Sequence, residues 1–228
     1  MATGPGAKRR TAGRVGRPPR ERAGEVDARI LAAARRVFLE RGLAGASIDE
    51  IASVARAGKP TIYARFPGKE ALFAAVVMSN VAATAARFEG HVPAGSTLDE
   101  RLAKLGAALM HWVLAGDIVA VMRLGISEAR WLPDLAINVH LAARRRSEEV
   151  VGKLLAEAAQ SDALGALPAF APERAATTAR FFIDLVVWPI VVRALFGEKL
   201  KDLRAEIEPD VASSVAFFLA ACRSGGVA

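Results

Sequence analysis

Two short amphipathic segments separated by a three-residue turn lie within residues 47–66, and they constrain the fold more than any other feature. The first begins at Ser47 and has Glu50 three residues later, the spacing of a capping box that starts a helix. Its apolar residues recur at helical spacing. They are Ile48, Ile51, Ala52 and Ala55. The second segment begins with Lys59 and Pro60, and proline is favoured in the first turn of a helix.

A longer amphipathic helix is predicted before this pair, over about residues 25–41. Gly42 is a suitable terminator, because glycine readily adopts the left-handed conformation that ends many helices. A long helix, a short helix, a three-residue turn and a second short helix form the pattern of a helix-turn-helix. The alternative is an ordinary trio of packed helices.

The second short segment carries side chains that an ordinary packed helix does not need. Ile62 and Phe66, four residues apart, supply its inward side. The residues on its other faces are Lys59, Thr61, Tyr63 and Arg65. A purely structural helix of about seven residues has no reason to expose a tyrosine, a threonine and two cations together. This pattern favours the helix-turn-helix over the packed trio.

The basic charge is concentrated at one end of the chain. The 228 residues carry a net charge of +7, with 15 basic and 7 acidic side chains among residues 1–70 and a net charge of −1 over the remainder. Confinement of the excess to one end favours a polyanionic partner for that end. Basic tails also bind anionic membranes, or nothing at all.

Residues 1–23 are predicted to be a disordered basic arm, because they lack the apolar residues that would offset the entropy of ordering. Within this arm Gly16, Arg17 and Pro18 match the core of arms that insert an extended arginine into the minor groove. A solvated tail, or an arm that attracts phosphates without entering the groove, fits the same residues. Arg17 is therefore a candidate DNA contact.

The chain resembles the DNA-binding domain of the TetR family of bacterial transcriptional regulators over about residues 24–84. The residues that carry the resemblance include Ile30, Phe38, Gly42, Ser47, Ala57, Thr61, Tyr63, Phe66, Lys69 and Phe73. Two positions depart from the family pattern. Arg56 stands where a turn glycine is common, and arginine has a steric cost there if the residue is left-handed. Gly58 stands where serine is common, and it can still cap the following helix.

The resemblance implies that the second short helix lies in the major groove. Lys59 and Pro60 would face base edges, where lysine donates to guanine and the proline ring contacts a thymine methyl. Thr61 and Tyr63 would bind phosphate oxygens, which position the protein without reading sequence.

Further contacts are implied at the neighbouring helix N-termini. Ser47 and Lys69 would bind phosphates from the first turns of the second and fourth helices. Arg65 stays open between a phosphate contact and a solvated surface position. The fourth helix would couple the DNA-binding domain to the rest of the chain.

The second domain, about residues 85–228, is also predicted to be helical. Aromatic residues make up only 6% of a chain dominated by alanine and leucine, and no strand-like alternation is present. We therefore predict an all-α protein of about nine helices. The helices expected in this domain cover about 98–115, 117–130, 133–159, 172–196, which Pro189 should kink, and 208–222.

The last two predicted helices are apolar on more than one face, so they need a partner for burial. In the TetR family these helices pair with their symmetry mates. The resemblance thus implies a homodimer whose two reading heads lie one DNA turn apart, about 34 Å. The expected interface residues are Val211, Val215 and Phe218.

A stretch from Arg123 to Arg130 resembles the ligand-binding domains of efflux- and stress-associated members of the family. Bulky residues of this domain line a ligand cavity or form plain core, and both interpretations stay open. They are Met110, Trp112, Met122, Trp131, Phe181 and Trp188. Few obvious charges point inward, so an apolar or aromatic effector is favoured.

Several functional classes are excluded. The single cysteine, Cys222, rules out a disulfide framework or a cysteine-rich zinc site, and in an apolar helix it is a small hydrophobe rather than a nucleophile. The three histidines lack metal-ligand spacing, and no phosphate-binding glycine loop or nucleophile elbow occurs. We predict no enzymatic activity, metal or cofactor.

No apolar run is expected to approach the ~20 residues of a membrane span, and no secretion signal is recognised. A cytoplasmic protein with no membrane partner is therefore predicted. The predicted function is a ligand-responsive repressor that binds a palindromic operator as a dimer. The alternative is an architectural DNA-binding protein, which would show no preference over random competitor DNA.

Overall fold

The computed structural model describes residues 20–88, 95–160 and 167–224, and all regular structure within those ranges is helical. Ten α-helices are present there. They are α1 (Arg20–Gly45), α2 (Ile48–Ala55), α3 (Lys59–Tyr63), α4 (Lys69–Phe88), α5 (Leu98–Ala115), α6 (Ile118–Glu128), α7 (Pro133–Ala159), α8 (Ala175–Phe182), α9 (Trp188–Leu195) and α10 (Leu200–Arg223). The all-α prediction is confirmed. Of the predicted basic arm, residues 1–19, including Arg17, lie outside the described residues. Residues 20–23 belong to α1, so the prediction of disorder is wrong for them and the helix begins about five residues earlier than expected.

Glycine ends the regular part of α1 as predicted. Gly42 has φ 70° and ψ 171°, which is not helical, and a short turn up to Gly45 follows it. At the other end of the chain the prediction is wrong, because α10 begins at Leu200 rather than near residue 208. Pro209 lies inside this helix, where the missing N–H removes one backbone hydrogen bond without ending the helix.

The predicted kink near Pro189 takes the form of a π-helical turn. What the sequence predicts as one helix over 172–196 is α8, a wide turn at Ile183–Val187, and α9. Proline has no N–H to donate to the carbonyl four residues earlier, so the regular α-helical ladder cannot pass through this point. Wider π turns commonly absorb such a defect.

Two hydrophobic cores divide the molecule. The first joins α1 to α4, with Phe38 and Phe73 in edge-to-face contact at 5.8 Å between ring centres. The second is built mainly by α5 and α7–α10, where Phe182 and Phe218 make a similar contact at 5.4 Å. α4 contributes to both, because its start belongs to the first core and Phe88 at its end belongs to the second.

Two helical segments are long and apolar enough to cross a membrane by length and composition alone. They are Lys69–Phe88 and Pro172–Leu195, and a third would be added if the pair Leu98–Ala115 and Ile118–Glu128, bent by 67°, counted as one span. This finding contradicts the expectation that no run approaches that length. In Lys69–Phe88, alanines extend an apolar helix without adding bulky side chains. In Pro172–Leu195, Asp184 and Pro189 interrupt a stretch that is otherwise rich in bulky apolar residues.

Gly106 allows the closest helix approach in the second core. A Cβ atom at this position would lie 2.7 Å from Val211 Cγ1 and 2.9 Å from Val186 Cγ1, so α5 meets both α10 and the π turn there. We expect Gly106→Ala to lower the free energy of unfolding by about 1 kcal/mol or more, because overpacking outweighs the helical preference of alanine.

Denaturant unfolding measures this change, and Gly116→Ala is the matched control. A Cβ atom at Gly116 meets nothing within 4 Å, so that variant should stay within about 0.5 kcal/mol of the parent. Equal stability of the two variants would show that the core at Gly106 relaxes freely.

Candidate nucleic-acid interface

The start of α2 is capped as the sequence predicts. Ser47 Oγ accepts a hydrogen bond from the backbone N–H of Glu50 at 3.1 Å, which satisfies one of the free amides of the helix N-terminus. The reciprocal half of the predicted capping box is replaced, because the Glu50 carboxylate pairs with Arg41 at 3.5 Å. The Ser47 side chain is exposed, and its hydroxyl proton stays available to an acceptor such as a phosphate.

The turn between α2 and α3 depends on a left-handed residue. Arg56 has φ 49° and ψ 47°, and it is the one non-glycine residue with positive φ in the described chain. Its N–H points back to the carbonyls of Ala52 and Ser53, and Ala57 N–H also donates to Ala52 at 3.0 Å. The steric cost that the sequence analysis expects for a left-handed arginine therefore applies to Arg56. It is about 1–2 kcal/mol for a side chain in this conformation.

α3 is a single short helix with one buried side chain. Ile62 is completely buried in the first core, and Gly58 begins the helix without a side-chain cap. Lys59 and Pro60 are exposed at its first turn, and Tyr63 is 52% exposed at its end. The polar side of α3 therefore faces solvent, as the sequence predicts.

Four of the eight predicted DNA contacts line one concave surface. Ser47, Lys59, Tyr63 and Lys69 face it, together with Ala46, Ile48, Asp49, Pro67 and Gly68. We call this the α2–α3 surface. It combines the first turn of α2, the exposed side of α3 and the first turn of α4. Pro60 and Thr61 belong to α3 but do not line it.

Lys59 has a partner that sequence reasoning missed. Its ammonium group forms an ion pair with Asp49 of α2, although both side chains are more than half exposed. The hydrogen bond that Lys59 donates to the Asp49 carboxylate, together with the negative charge of that carboxylate, raises the pKa of Lys59. This lysine therefore already has an acceptor within the protein.

Two of the predicted DNA contacts, Lys69 and Arg65, have partners within the protein. Lys69 Nζ donates to the carbonyls of Leu43, Ala44 and Ala46 at 2.9, 3.1 and 2.9 Å, which uses all three of its N–H donors. In this structure Lys69 holds the end of α1 and the residue after it, and its predicted phosphate contact stays a prediction.

Arg65 likewise has partners within the protein. Its guanidinium binds Asp27 of α1 and the carbonyl of Thr61, the latter at 3.1 Å. It therefore fastens α3 to α1. The ion pair with Asp27 is not visible in the sequence, because the two residues are 38 positions apart.

A second residue missed by sequence reasoning lies on α6. Glu128 Oε1 accepts a hydrogen bond from the backbone N–H of Leu43 at 3.2 Å. Residues 42–46, which connect α1 to α2, are thus held by Lys69 at their carbonyls and by Glu128 at one N–H. The N-terminus of α2 depends on both contacts for its position.

The three residues predicted for a dimer interface lie inside their own chain. Val211, Val215 and Phe218 are each at most 1% exposed and belong to the second core. A side chain already covered by its own domain cannot form the surface of a subunit contact, so this prediction is corrected. The neighbouring Phe217 is 67% exposed and faces outward.

The six predicted ligand-lining residues are dispersed. Met110 is completely buried in the second core, and Trp112, Met122 and Trp188 pack against it. Trp112 is also held by Thr84, whose hydroxyl accepts from its indole N–H at 3.0 Å. Phe181 lies on the surface, and Trp131 is 71% exposed at the junction of the two cores, so neither joins the interior group.

A short, exposed, cation-bearing helix that follows another across a tight turn defines a helix-turn-helix DNA-binding protein. Residues 30–76 match the profile of the bacterial regulatory proteins of the TetR family, and residues 100–223 match that of the AefR-like transcriptional repressor C-terminal domain. Because the second match alone covers more than half of the chain, the chain belongs to the TetR family. No curated protein matches it.

Solved structures of the family share the fold. A TetR-family transcriptional regulator from Mesorhizobium loti MAFF303099 is 24% identical with a TM-score of 0.70, over 87% of this chain and 97% of that one. The flavonoid-responsive regulator FrrA is 27% identical with a TM-score of 0.57, over 87% and 97%. The fatty acid degradation regulator FadR from Bacillus halodurans is 17% identical with a TM-score of 0.60, over 82% and 97%.

The family match also bears on the long apolar helices. TetR-family regulators are soluble DNA-binding proteins, so α4 and the α8–α9 segment belong to a helical bundle rather than to a membrane. The protein is thus a transcriptional regulator with an N-terminal DNA-binding domain.

The ion pair between Asp49 and Lys59 leads to a prediction for DNA binding. We expect Asp49→Asn to strengthen binding to DNA by roughly two- to fivefold, because it frees Lys59 and removes a negative charge from the α2–α3 surface. Fluorescence anisotropy with labelled duplex DNA at fixed salt measures the change.

The control for Asp49→Asn is Glu40→Gln. Glu40 is an exposed acid of α1 that pairs with Arg36 outside the α2–α3 surface. Weaker binding by Asp49→Asn than by this control would show that Asp49 orients Lys59 toward the base rather than restraining it.

Proposed function

We propose that this protein is a ligand-responsive repressor that binds a palindromic operator as a homodimer. The observation that carries the DNA-binding part is the α2–α3 surface, where Ser47, Lys59 and Tyr63 face solvent from two short helices. The name of the matching C-terminal profile, which is that of a repressor, supports the direction of regulation. A cytoplasmic location follows from this function.

The proposed DNA contacts are of two types, those that read base edges and those that bind phosphates. Lys59 and Pro60 at the start of α3 would meet base edges in the major groove. Thr61, Tyr63 and the Ser47 hydroxyl would bind phosphates and set the register of the helix. Lys69 and Arg65 would support these contacts from behind by holding α4 and α3 on α1.

A sequence-selective regulator and an architectural protein differ in one measurable property. Selection from a random duplex library with the full chain should enrich one palindromic sequence, whereas an architectural protein would enrich none. Lys59→Ala should then relax the preference at one base pair per half-site by roughly tenfold, because lysine reads a base edge.

Tyr63→Phe is the matched comparison for the selection experiment. The variant loses only a hydroxyl, so we expect weaker binding to all sequences by a similar factor and an unchanged preference. If Tyr63→Phe altered the preferred sequence while Lys59→Ala did not, the two roles would have to be exchanged. Recovery of unselected DNA would reject the regulator.

The homodimer is supported by apolar surface that a single chain leaves uncovered. Residues 211–222 of α10 contain no charged side chain on any face, although only one face of the helix enters the core. Phe217 is exposed on this stretch, Phe181 lies on the surface of α8, and Phe196 beyond α9 is 90% exposed. Helix faces without charge are covered in stable proteins, so these outward faces are the proposed subunit contact.

An apolar or aromatic effector is supported by two observations. FrrA, at 27% identity, is named as a flavonoid-responsive regulator, and flavonoids are aromatic. Met110, Trp112 and Trp188 gather large apolar side chains in and around the second core. Binding there would repack this core and change the distance between the two DNA-binding domains.

Adjacent phenylalanines of α10 give a sharp test of the dimer. We expect Phe217→Glu to yield a folded monomer with at least tenfold weaker operator binding, because one short helix binds weakly without its symmetry mate. Phe218→Glu should instead fail to fold, since a charge in a fully buried position costs several kcal/mol.

Sedimentation velocity and circular dichroism separate the two results. If Phe218 lay in the subunit contact, as the sequence predicts, Phe218→Glu would give folded monomers instead. A Phe217→Glu protein that sediments as a dimer would place the subunit contact on another face.

A further inference from the structure

A second concave site lies where the two cores meet. We call it the junction notch, and it encloses about 290 Å³. Its walls come from the 42–46 connection, the first turn of α4, the end of α6 and the α6–α7 connection. The residues that line it include Leu43, Lys69, Glu70, Glu128, Trp131 and Leu132. Lys69 lines both this notch and the α2–α3 surface, so the two sites are neighbours.

The most exposed of the three tryptophans lies in the notch. Trp131 leaves 71% of its surface in solvent, beside the apolar side chains of Leu43 and Leu132. The guanidinium of Arg130 lies over its ring at 5.0 Å from the ring centre. An indole ring attracts cations at either face, and one guanidinium covers only one of them.

The notch contains two carboxylates without an ion-pair partner in the described part of the chain. Neither Glu70 nor Glu128 has an ion-pair partner among residues 20–88, 95–160 and 167–224. The ammonium group of Lys69 is directed at three carbonyls rather than at either carboxylate. Lys69 and Arg130 also bring positive charge to the notch, but neither forms an ion pair with Glu70 or Glu128. The two carboxylates, beside an open face of an aromatic ring, are therefore the groups that would complement a flat organic cation.

We propose that the junction notch binds a small aromatic cation, with its ring on Trp131 and its charge beside Glu70 and Glu128. This site is separate from the apolar effector site in the second core. Nothing in the proposed operator binding requires it.

Occupation of the notch would act on the DNA-binding domain through one hydrogen bond. The Glu128 carboxylate that would attract the cation is the same group that accepts from Leu43 N–H at 3.2 Å. Leu43 lines the notch, whereas Ala46 at the other end of the connection lines the α2–α3 surface. A cation that draws Glu128 away therefore loosens the connection that positions α2. This consequence rests on the proposed operator binding, but the binding of the cation does not.

The binding itself is tested on the full chain without DNA. The probe is N-methylquinolinium at pH 8, and neutral quinoline is its uncharged counterpart. We expect N-methylquinolinium to quench tryptophan emission with a saturable curve, at least fivefold more tightly than quinoline. Trp131→Phe should lose this component of the quenching, because Trp112 and Trp188 lie in or against the second core.

Charge removal gives the decisive variant. Glu128→Gln keeps a side-chain oxygen that accepts from Leu43 N–H and removes the negative charge, so it should fold normally and weaken binding at least fivefold. Glu157→Gln, an exposed acid on the far half of α7, is the control and should bind as the parent does. Linear quenching equal to that of free N-acetyltryptophanamide, equal affinity for quinoline, or full affinity in Glu128→Gln would overturn the proposal.

The coupling is tested with the operator selected by this protein. Saturating N-methylquinolinium should weaken operator binding at least fivefold in the parent and leave Glu128→Gln unchanged. An equal loss in Glu128→Gln would show that the probe acts on the DNA, and it would overturn the coupling. A chain that binds N-methylquinolinium but selects no DNA sequence would reject the proposed function and leave the notch site standing.

Discussion

The arrangement of helices depends on cations that satisfy the carbonyl ends of other helices. The last carbonyls of an α-helix have no partner within the helix, and they carry the negative end of its dipole. Here a side chain from a different helix supplies the donors at four such ends. The pairs are Lys69 at α1, Arg101 at α7, Arg123 at α9 and Arg204 at α5. Apolar packing alone would let these helices slide, whereas each directed hydrogen bond fixes where one helix ends against another.

The Lys69 contact has the widest consequence, because it joins the DNA-binding surface to the rest of the chain. Residues 42–46 are hydrogen-bonded to α4 through Lys69 and to α6 through Glu128. α4 also enters both cores, so a displacement in the second core reaches the start of α2 by two routes. Communication between the domains therefore has a physical path made of backbone hydrogen bonds and a continuous helix, rather than a general flexibility.

The α2–α3 surface and its surroundings carry less unpaired positive charge than a count of their basic residues indicates. Lys69 and Arg65 donate hydrogen bonds to groups within the protein, and Lys59 forms an ion pair with Asp49. Salt bridges and carbonyl contacts of this kind preorganise α3 and α4, so that fewer side chains need to be ordered when DNA binds. The proposed DNA binding would therefore depend more on the remaining exposed polar groups of α3, including the Tyr63 hydroxyl.

The sequence alone determined the helices of the DNA-binding domain, because caps, a helix-ending glycine and apolar spacing act over a few residues. Ser47, Gly42 and Ile62 take the local roles that their types and positions predict. Tertiary structure decided which cations stay free and which face of α10 turns outward. Arg65 meets an aspartate 38 residues away, and the choice between Phe217 and Phe218 depends on how α10 packs against α5. Contacts between distant residues follow from the angles and separations of whole helices, and an uncharged helix has no local pattern that marks its buried side.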